Sequence, residues 1–339
     1  LRAFQGEQSR GALLQIVRSD PSPEVRTAAL AAAADLLDPD ELLAFGSRSL
    51  GDPSLMVRQA AVGLFSRVVP SRAFPRLIQA LGEDDHAAVL AEAAGLAEED
   101  FPAFRDAVST APLPDTRAVL VVRMARYLHH PELGALVTPF SRSGSPSVRQ
   151  SVAELWSHRP DLVAPTSLEA LAMDPVISVR IAAAETAATS ERYDLLDRMT
   201  QDPDPSVRRE VAIALAHMAP VRKPGLLVLE RLGADSDMPV RAAAHASRLF
   251  QGIPVPLPPG LDPGIAAEAV RDAGSISFLR ELARGAPSEE RRLAAALALA
   301  LVQDEVAHEV ARTDPAPAIR HRVGGALELS LQRNAAEDR

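Results

Sequence analysis

The sequence predicts an all-α fold, an α-solenoid of about ten helical hairpins wound into a right-handed superhelix. Three observations carry this prediction. A seven-residue phrase, seen in full as Asp202-Pro203-Asp204-Pro205-Ser206-Val207-Arg208, returns along the whole chain. Its copies recur about every 30 residues, the length of two helices of 10–14 residues with short turns. No stretch alternates apolar and polar residues with the period of two that a half-buried strand needs.

Taken in order, the copies begin with Asp20–Arg26 and Asp52–Arg58. Asp84–Leu90 and Ala111–Arg117 are degraded, and Ser143–Arg149 keeps the arginine without the aspartate. Asp174–Arg180, Asp202–Arg208 and Asp235–Arg241 are full copies, Gly285–Arg291 is degraded, and Asp314–Arg320 closes the series. Successive final positions lie 27 to 33 residues apart, save one interval of 50. That interval holds Ile253-Pro254-Val255-Pro256-Leu257-Pro258-Pro259-Gly260, a composition that favours an extended polyproline path. It reads as a proline-rich insertion at 252–263 within a single solenoid domain covering 1–339. Pro112 and Pro114 mark a lesser irregularity.

Each repeat reads as two helices with a local cause for the turn between them. Proline after the aspartate disfavours α conformation at that aspartate and ends the first helix. A serine such as Ser22, Ser54 or Ser206 then suits the start of the second. In that second helix Val207, Val211, Leu215 and Met218 form one apolar stripe. Phe74–Leu81 and Leu226–Leu232 are examples of the first. Alanine dominates the second helices (Ala242 to Ala244, Ala294 to Ala296), raising helix propensity and allowing close approach.

Composition narrows the function. The 339 residues carry a formal charge of −9, and 47% are apolar, ample for a folded core. Cysteine is absent, which removes disulfides, thiolate metal sites and cysteine nucleophiles. The longest apolar run, Leu293–Val302, is far short of the about 20 residues that span a bilayer. No secretory signal is visible, and arginine- and alanine-rich usage suggests a bacterial protein of the cytoplasm. Leu1 in place of methionine points to a longer polypeptide.

The consensus Asp-Pro-x-x-x-Val-Arg-x-x-Ala-x-x-Ala-Leu resembles the HEAT-repeat family, in the short bacterial variety also met in phycobilisome-lyase-like proteins. The resemblance covers nearly the whole chain. It implies a structural ladder along the stacked turns, with Asp20, Asp52, Asp174, Asp202, Asp235 and Asp314 accepting and Arg26, Arg58, Arg180, Arg208, Arg241 and Arg320 donating. Leu90 and Ser143 break the pattern, so interruptions are expected in the third and fifth repeats.

No constellation of catalytic residues emerges. Of the eight histidines, no pair has the i, i+4 spacing of a zinc helix, and Glu305 to His308 is a lone Glu-x-x-His. Glycine-rich phosphate loops and nucleophile elbows are missing. Trp156 falls in the register of Leu215 and reads as core. Basic residues are almost all arginine, Lys223 being the sole lysine, and no basic stripe interleaved with aromatics suggests nucleic acid. No cofactor and no metal are expected.

The remaining candidate is the face of the second helices, which repeat proteins use for binding. Counting from the phrase's valine, offsets of two, six and ten select Gln150, Glu154 and His158; Ile181, Glu185 and Thr189; and Arg209, Ile213 and His217. Ile181 and Ile213 are apolar at positions read as solvent-facing, which marks a partner surface. The reading is a non-enzymatic scaffold holding a protein or peptide on Gln150, Glu154, His158, Glu185, Arg209, Ile213 and His217. Two alternatives stand beside it: a regulatory module of a larger membrane or signalling protein, and a HEAT-like enzyme of the tetrapyrrole lyase or DNA glycosylase type.

Overall fold

The computed structural model describes residues 7–82, 86–110, 112–216, 218, 221–251, 269–271, 276–286 and 289–337. The proline-rich insertion at 252–263 lies outside them. Among the described residues all regular structure is helical, and no helix is long and apolar enough to cross a membrane. The chain divides into two compact units, Leu1–Ser167 and Leu168–Arg339.

The first unit contains α1 (Glu7–Ser19), α2 (Pro23–Ala33), α3 (Pro39–Ser49), α4 (Leu55–Phe65), α5 (Pro70–Leu81), α6 (Ala87–Glu99), α7 (Phe101–Ser109), α8 (Asp115–Met124), α9 (Leu133–Val137) and α10 (Pro146–His158). Even-numbered helices pack in series, α2 on α4, α4 on α6, α6 on α8 and α8 on α10. The odd-numbered α3, α5 and α7 form a parallel row. Five hairpins result, each burying its apolar stripe between the rows. Val57, Val89, Val148 and Val152 are fully buried, as is Trp156, the register position read as core. On the odd row Phe104 meets Phe74 edge-on at 5.6 Å and Phe101 at 6.1 Å.

The second unit begins within α11 (Pro165–Leu171) and runs through α12 (Ile177–Thr189), α13 (Tyr193–Met199), α14 (Pro205–Ala216), α15 (Lys223–Leu232) and α16 (Met238–Phe250). It continues with α17 (Ile276–Gly285), α18 (Glu289–Leu301), α19 (Glu305–Thr313) and α20 (Pro317–Glu337). Here α12 packs on α14, α14 on α16 and α18 on α20. Alanine permits this intimacy: Ser247 Oγ of α16 donates to the Ala212 carbonyl of α14 at 2.6 Å, with Ala212 and Ala243 wholly buried. Ala242 and Ala246 continue into a core built with Leu279, Leu299, Val306 and Val323.

The aspartate builds each turn. In the six full copies its carboxylate accepts the amide two residues on, from Ser22, Ser54, Val176, Asp204, Asp237 and Ala316, at 2.8–2.9 Å. This Asx turn offers the backbone an alternative to continuing the helix. The arginine then folds back to the carbonyl of its own aspartate, as Arg26 does at 2.8 Å and Arg208 at 2.7 Å. The serines contribute less than expected. Ser22 accepts from Val25 at 3.3 Å, Ser54 makes no side-chain cap, and Ser206 lies inside α14 with its amide held by Asp204. A charged acceptor makes the stronger bond and takes the amides first.

The same arginines reach the next hairpin. Arg26 donates through Nε and Nη2 to both oxygens of Asp52 at 2.9 and 2.7 Å. Arg180 holds Asp202 and Arg208 holds Asp235 in the same bidentate fashion. Burial would raise the carboxyls of Asp52 and Asp235, but the guanidinium and amide donors outweigh it and hold both below the ordinary range. Arg58, Arg241 and Arg320 each donate to the carbonyl of their own aspartate.

Two degraded copies sit one residue later than the sequence suggests. In the fourth hairpin Pro114 is the N-cap, so Ala118, buried, occupies the arginine position. Arg117 turns back instead to the Gly82 carbonyl at 2.6 Å. In the ninth, Arg292 rather than Arg291 donates to Ala286 O at 2.9 Å and to Asp314. The arginine row is therefore missing from the third and fourth hairpins, at Leu90 and Ala118. The fifth keeps Arg149, which bonds the Ser143 carbonyl at 2.8 Å. The odd helices carry ion pairs the sequence did not announce, including Arg72 with Asp40, Arg105 with Glu132, Arg231 with Asp197 and Arg280 with Asp304.

Candidate functional site

The residues expected to bind a partner fall in both units. Gln150, Glu154 and His158 stand on α10 of the first, while Glu185, Arg209 and Ile213 stand on α12 and α14 of the second. His217 lies outside the described residues.

On α10, Gln150 and Glu154 are half-buried and His158 is exposed. Gln150 Nε2 donates to Glu154 Oε1 at 2.7 Å, and His158 Nδ1 lies 2.8 Å from the Glu154 carbonyl. A carbonyl only accepts, so this contact assigns the proton to Nδ1 and leaves Nε2 for another partner. Glu154 and His158 form one wall of a cleft of about 290 Å³. Arg123 at the end of α8, with Arg126 and Tyr127 on the 3-10 turn that follows, form the other; Leu90, Val122 and Leu155 supply apolar lining. Arg159 fixes that turn by donating Nη1 to the Leu128 carbonyl at 2.7 Å while its other donors clasp Asp161. Sequence reasoning passed over Arg123, Arg126 and Tyr127, because their hairpin has the displaced register and no aspartate marks its turn.

In the second unit, Ile213 is only 7% exposed, which corrects its reading as a surface residue. The alanine-rich flanks of α12, α14 and α16 let these helices approach until Ile213, the sixth position after Val207, is covered. Glu185 and Arg209 remain half-buried beside Glu210. Burial, with the Glu185 charge adding to it and Arg209 opposing, pushes the Glu210 carboxyl up to about 6. On α16, burial and the Arg248 charge push His245 down to about 4, and its Nδ1 has no hydrogen-bond partner. A second hollow of about 390 Å³, with Met173, Leu195, Met199 and Pro203 in its lining, borders the Arg180–Asp202 pair.

Glu154 is occupied by an amide and His158 Nδ1 by a backbone carbonyl, so neither activates the other. Among the described residues no group of three histidines or carboxylates is placed to hold a metal ion.

Residues 11–97 match the family model for HEAT repeats. No curated protein matches the chain. Among solved structures, an engineered protein is 17% identical with a TM-score of 0.35, covering 95% of this chain and 98% of its own. Kap121p bound to RanGTP is 14% identical with a TM-score of 0.38, covering 96% of this chain and 32% of its own. A designed armadillo repeat protein in complex with the peptide (KR)4 is 14% identical with a TM-score of 0.26, covering 70% of this chain and 99% of its own.

Proposed function

We propose that this chain is a non-enzymatic scaffold that binds a protein or peptide on the face of its even-numbered helices. Gln150, Glu154 and His158 serve in the first unit, and Glu185 and Arg209 in the second. The observation that best supports this reading is the cleft beside α10, apolar in its lining and polar at its walls. That is the make-up of a surface that recognises side chains. Its frame is held by Arg159, which bonds the Leu128 carbonyl and clasps Asp161, and by the buried Val122, Met124 and Leu155, and a preorganised face loses less entropy on binding.

The test is site-specific photo-crosslinking in cells. A benzophenone amino acid replaces Gln150 or Glu185 on even helices, and Arg76 or Glu230, both exposed, on odd ones. Polypeptide adducts are expected from the even positions only. Equal adducts from the odd positions would place the interaction elsewhere.

A further inference from the structure

We propose that the cleft between α8 and α10 selects an acidic segment of its polypeptide partner. A glutamate or aspartate carboxylate meets Arg126, and a neighbouring apolar side chain rests on Leu90, Val122 and Leu155. This rests on the scaffold reading above and adds the chemistry of what is bound.

Charge complementarity carries the inference. Arg123 and Arg126 are three residues apart where α8 passes into its 3-10 turn, a spacing that puts both on one side. Both are exposed, while Val122, Met124 and Ala125 between and beside them are buried. Nearby, Arg105 pairs with Asp106 and Glu132, and Arg159 with Asp161. Among the described residues, Arg126 has no such carboxylate. In a chain with a net charge of −9, Arg126 brings a positive charge to the cleft that no carboxylate among the described residues matches.

The opposite wall does not cancel this. Glu154 is the single carboxylate lining the cleft, and the Gln150 amide already bonds it at 2.7 Å. His158 has its Nδ1 on the Glu154 carbonyl, which leaves Nε2 for a partner. A planar guanidinium matches a carboxylate with two parallel hydrogen bonds, and the apolar lining gives the adjoining residue a place to bury. A volume of about 290 Å³ suits one or two side chains, being at the low end of small-molecule pockets.

The test is fluorescence anisotropy on the full chain with a fluorescein-labelled hexapeptide alternating glutamate and leucine. Two analogues carry glutamine or lysine in place of glutamate. The glutamate peptide is expected to bind saturably, about tenfold or more tighter than either analogue, and to weaken as salt rises. Arg126→Glu should reduce that affinity about tenfold, whereas Arg142→Glu, at an exposed arginine outside the cleft, should leave it unchanged. Equal binding of the three peptides, or no effect of Arg126→Glu, would overturn the proposal. So would a single-stranded oligonucleotide of equal charge binding more tightly with the same dependence on Arg126. Should crosslinks form from Gln150 while acid selectivity is absent, this inference falls and the scaffold reading stands; should crosslinks fail while the glutamate peptide binds selectively, the scaffold reading falls and only the cleft's preference for acid remains.

Discussion

Arg180 clasps two hairpins at once: Nε and Nη2 donate to the carboxylate of Asp202 at 2.7 and 3.0 Å, while Nη1 donates to the Asp174 carbonyl at 2.8 Å. Both side chains of the ion pair are nearly enclosed, at 11% and 7% exposure. Removing the guanidinium leaves a carboxylate out of water without its partner. Arg180→Ala is therefore expected to cost about 3 kcal/mol. Arg180→Lys should recover only part, since an ammonium cannot make the paired bonds. Arg320 donates to the carbonyls of Asp314 and Pro315, so Arg320→Ala should cost only about 1 kcal/mol. Urea unfolding of the three variants gives the comparison, and equal losses at Arg180 and Arg320 would contradict the ladder's role.

Trp156 presents the opposite case, a buried donor with nothing to donate to. The side chain is fully enclosed, yet Nε1 finds no acceptor. An unmet buried donor costs about 1–3 kcal/mol, which offsets the apolar gain of the larger ring. Trp156→Phe should thus change stability by less than about 1 kcal/mol, while Trp156→Ala should lose about 3–5 kcal/mol to the cavity. Thermal denaturation distinguishes the two; a large loss in the phenylalanine variant would mean the indole nitrogen is satisfied in solution.

What the sequence revealed follows from what is local. The Asx turn and the arginine that folds back six residues lie within one phrase, so every full copy could be placed by eye. The copies Ala111–Arg117 and Gly285–Arg291 lie one residue early, with Ala118 and Arg292 at the true arginine positions, because their turns lack the aspartate that sets the count. The burial of Ile213 was hidden for a different reason: it depends on how closely three alanine-rich helices approach, which no single helix encodes. Arg123, Arg126 and Tyr127 combine both difficulties, since they follow a displaced register and gain meaning only from α10 across the cleft.

Two glycines should respond with opposite sign. Gly225 lies where a Cβ would collide with Val221 Cγ1 and fall 2.7 Å from the Tyr193 ring. Gly225→Ala must push α15 away from Tyr193 and should cost about 1–3 kcal/mol. Gly95, inside α6, has nothing within 4 Å of that position and is exposed. Gly95→Ala should stabilise by about 0.5–1 kcal/mol, because alanine loses less entropy in a helix. Chemical denaturation of both variants checks the pair, and a gain at Gly225 would show that the contact is looser than its geometry.

Stability should depend on pH through two groups of the second unit that act in opposite directions. His245 is 5% exposed and shifted from 6.5 to about 4 by burial and Arg248, so its neutral form favours the fold. Its contribution is complete above about pH 6.5 and is lost as pH falls to about 4. Glu210 is shifted from 4.5 up to about 6 by burial and Glu185, so its protonated form favours the fold. That contribution is complete below about pH 4.5 and is lost as pH rises through 6. A tenfold change in proton affinity corresponds to about 1.4 kcal/mol, so the histidine is worth roughly 3 kcal/mol and the carboxyl roughly 2 kcal/mol. Below pH 4 the depressed aspartates Asp52, Asp235 and Asp314 add a further loss as they protonate. Glu210→Gln keeps a neutral amide at all pH values. It should be more stable than wild type at pH 8 and close to it at pH 4.5. His245→Gln should flatten the decline between pH 6.5 and 4.5. Urea midpoints at pH 8, 6 and 4.5 measure both effects, and a Glu210→Gln variant with the same margin at every pH would show that this carboxyl titrates as it does in water.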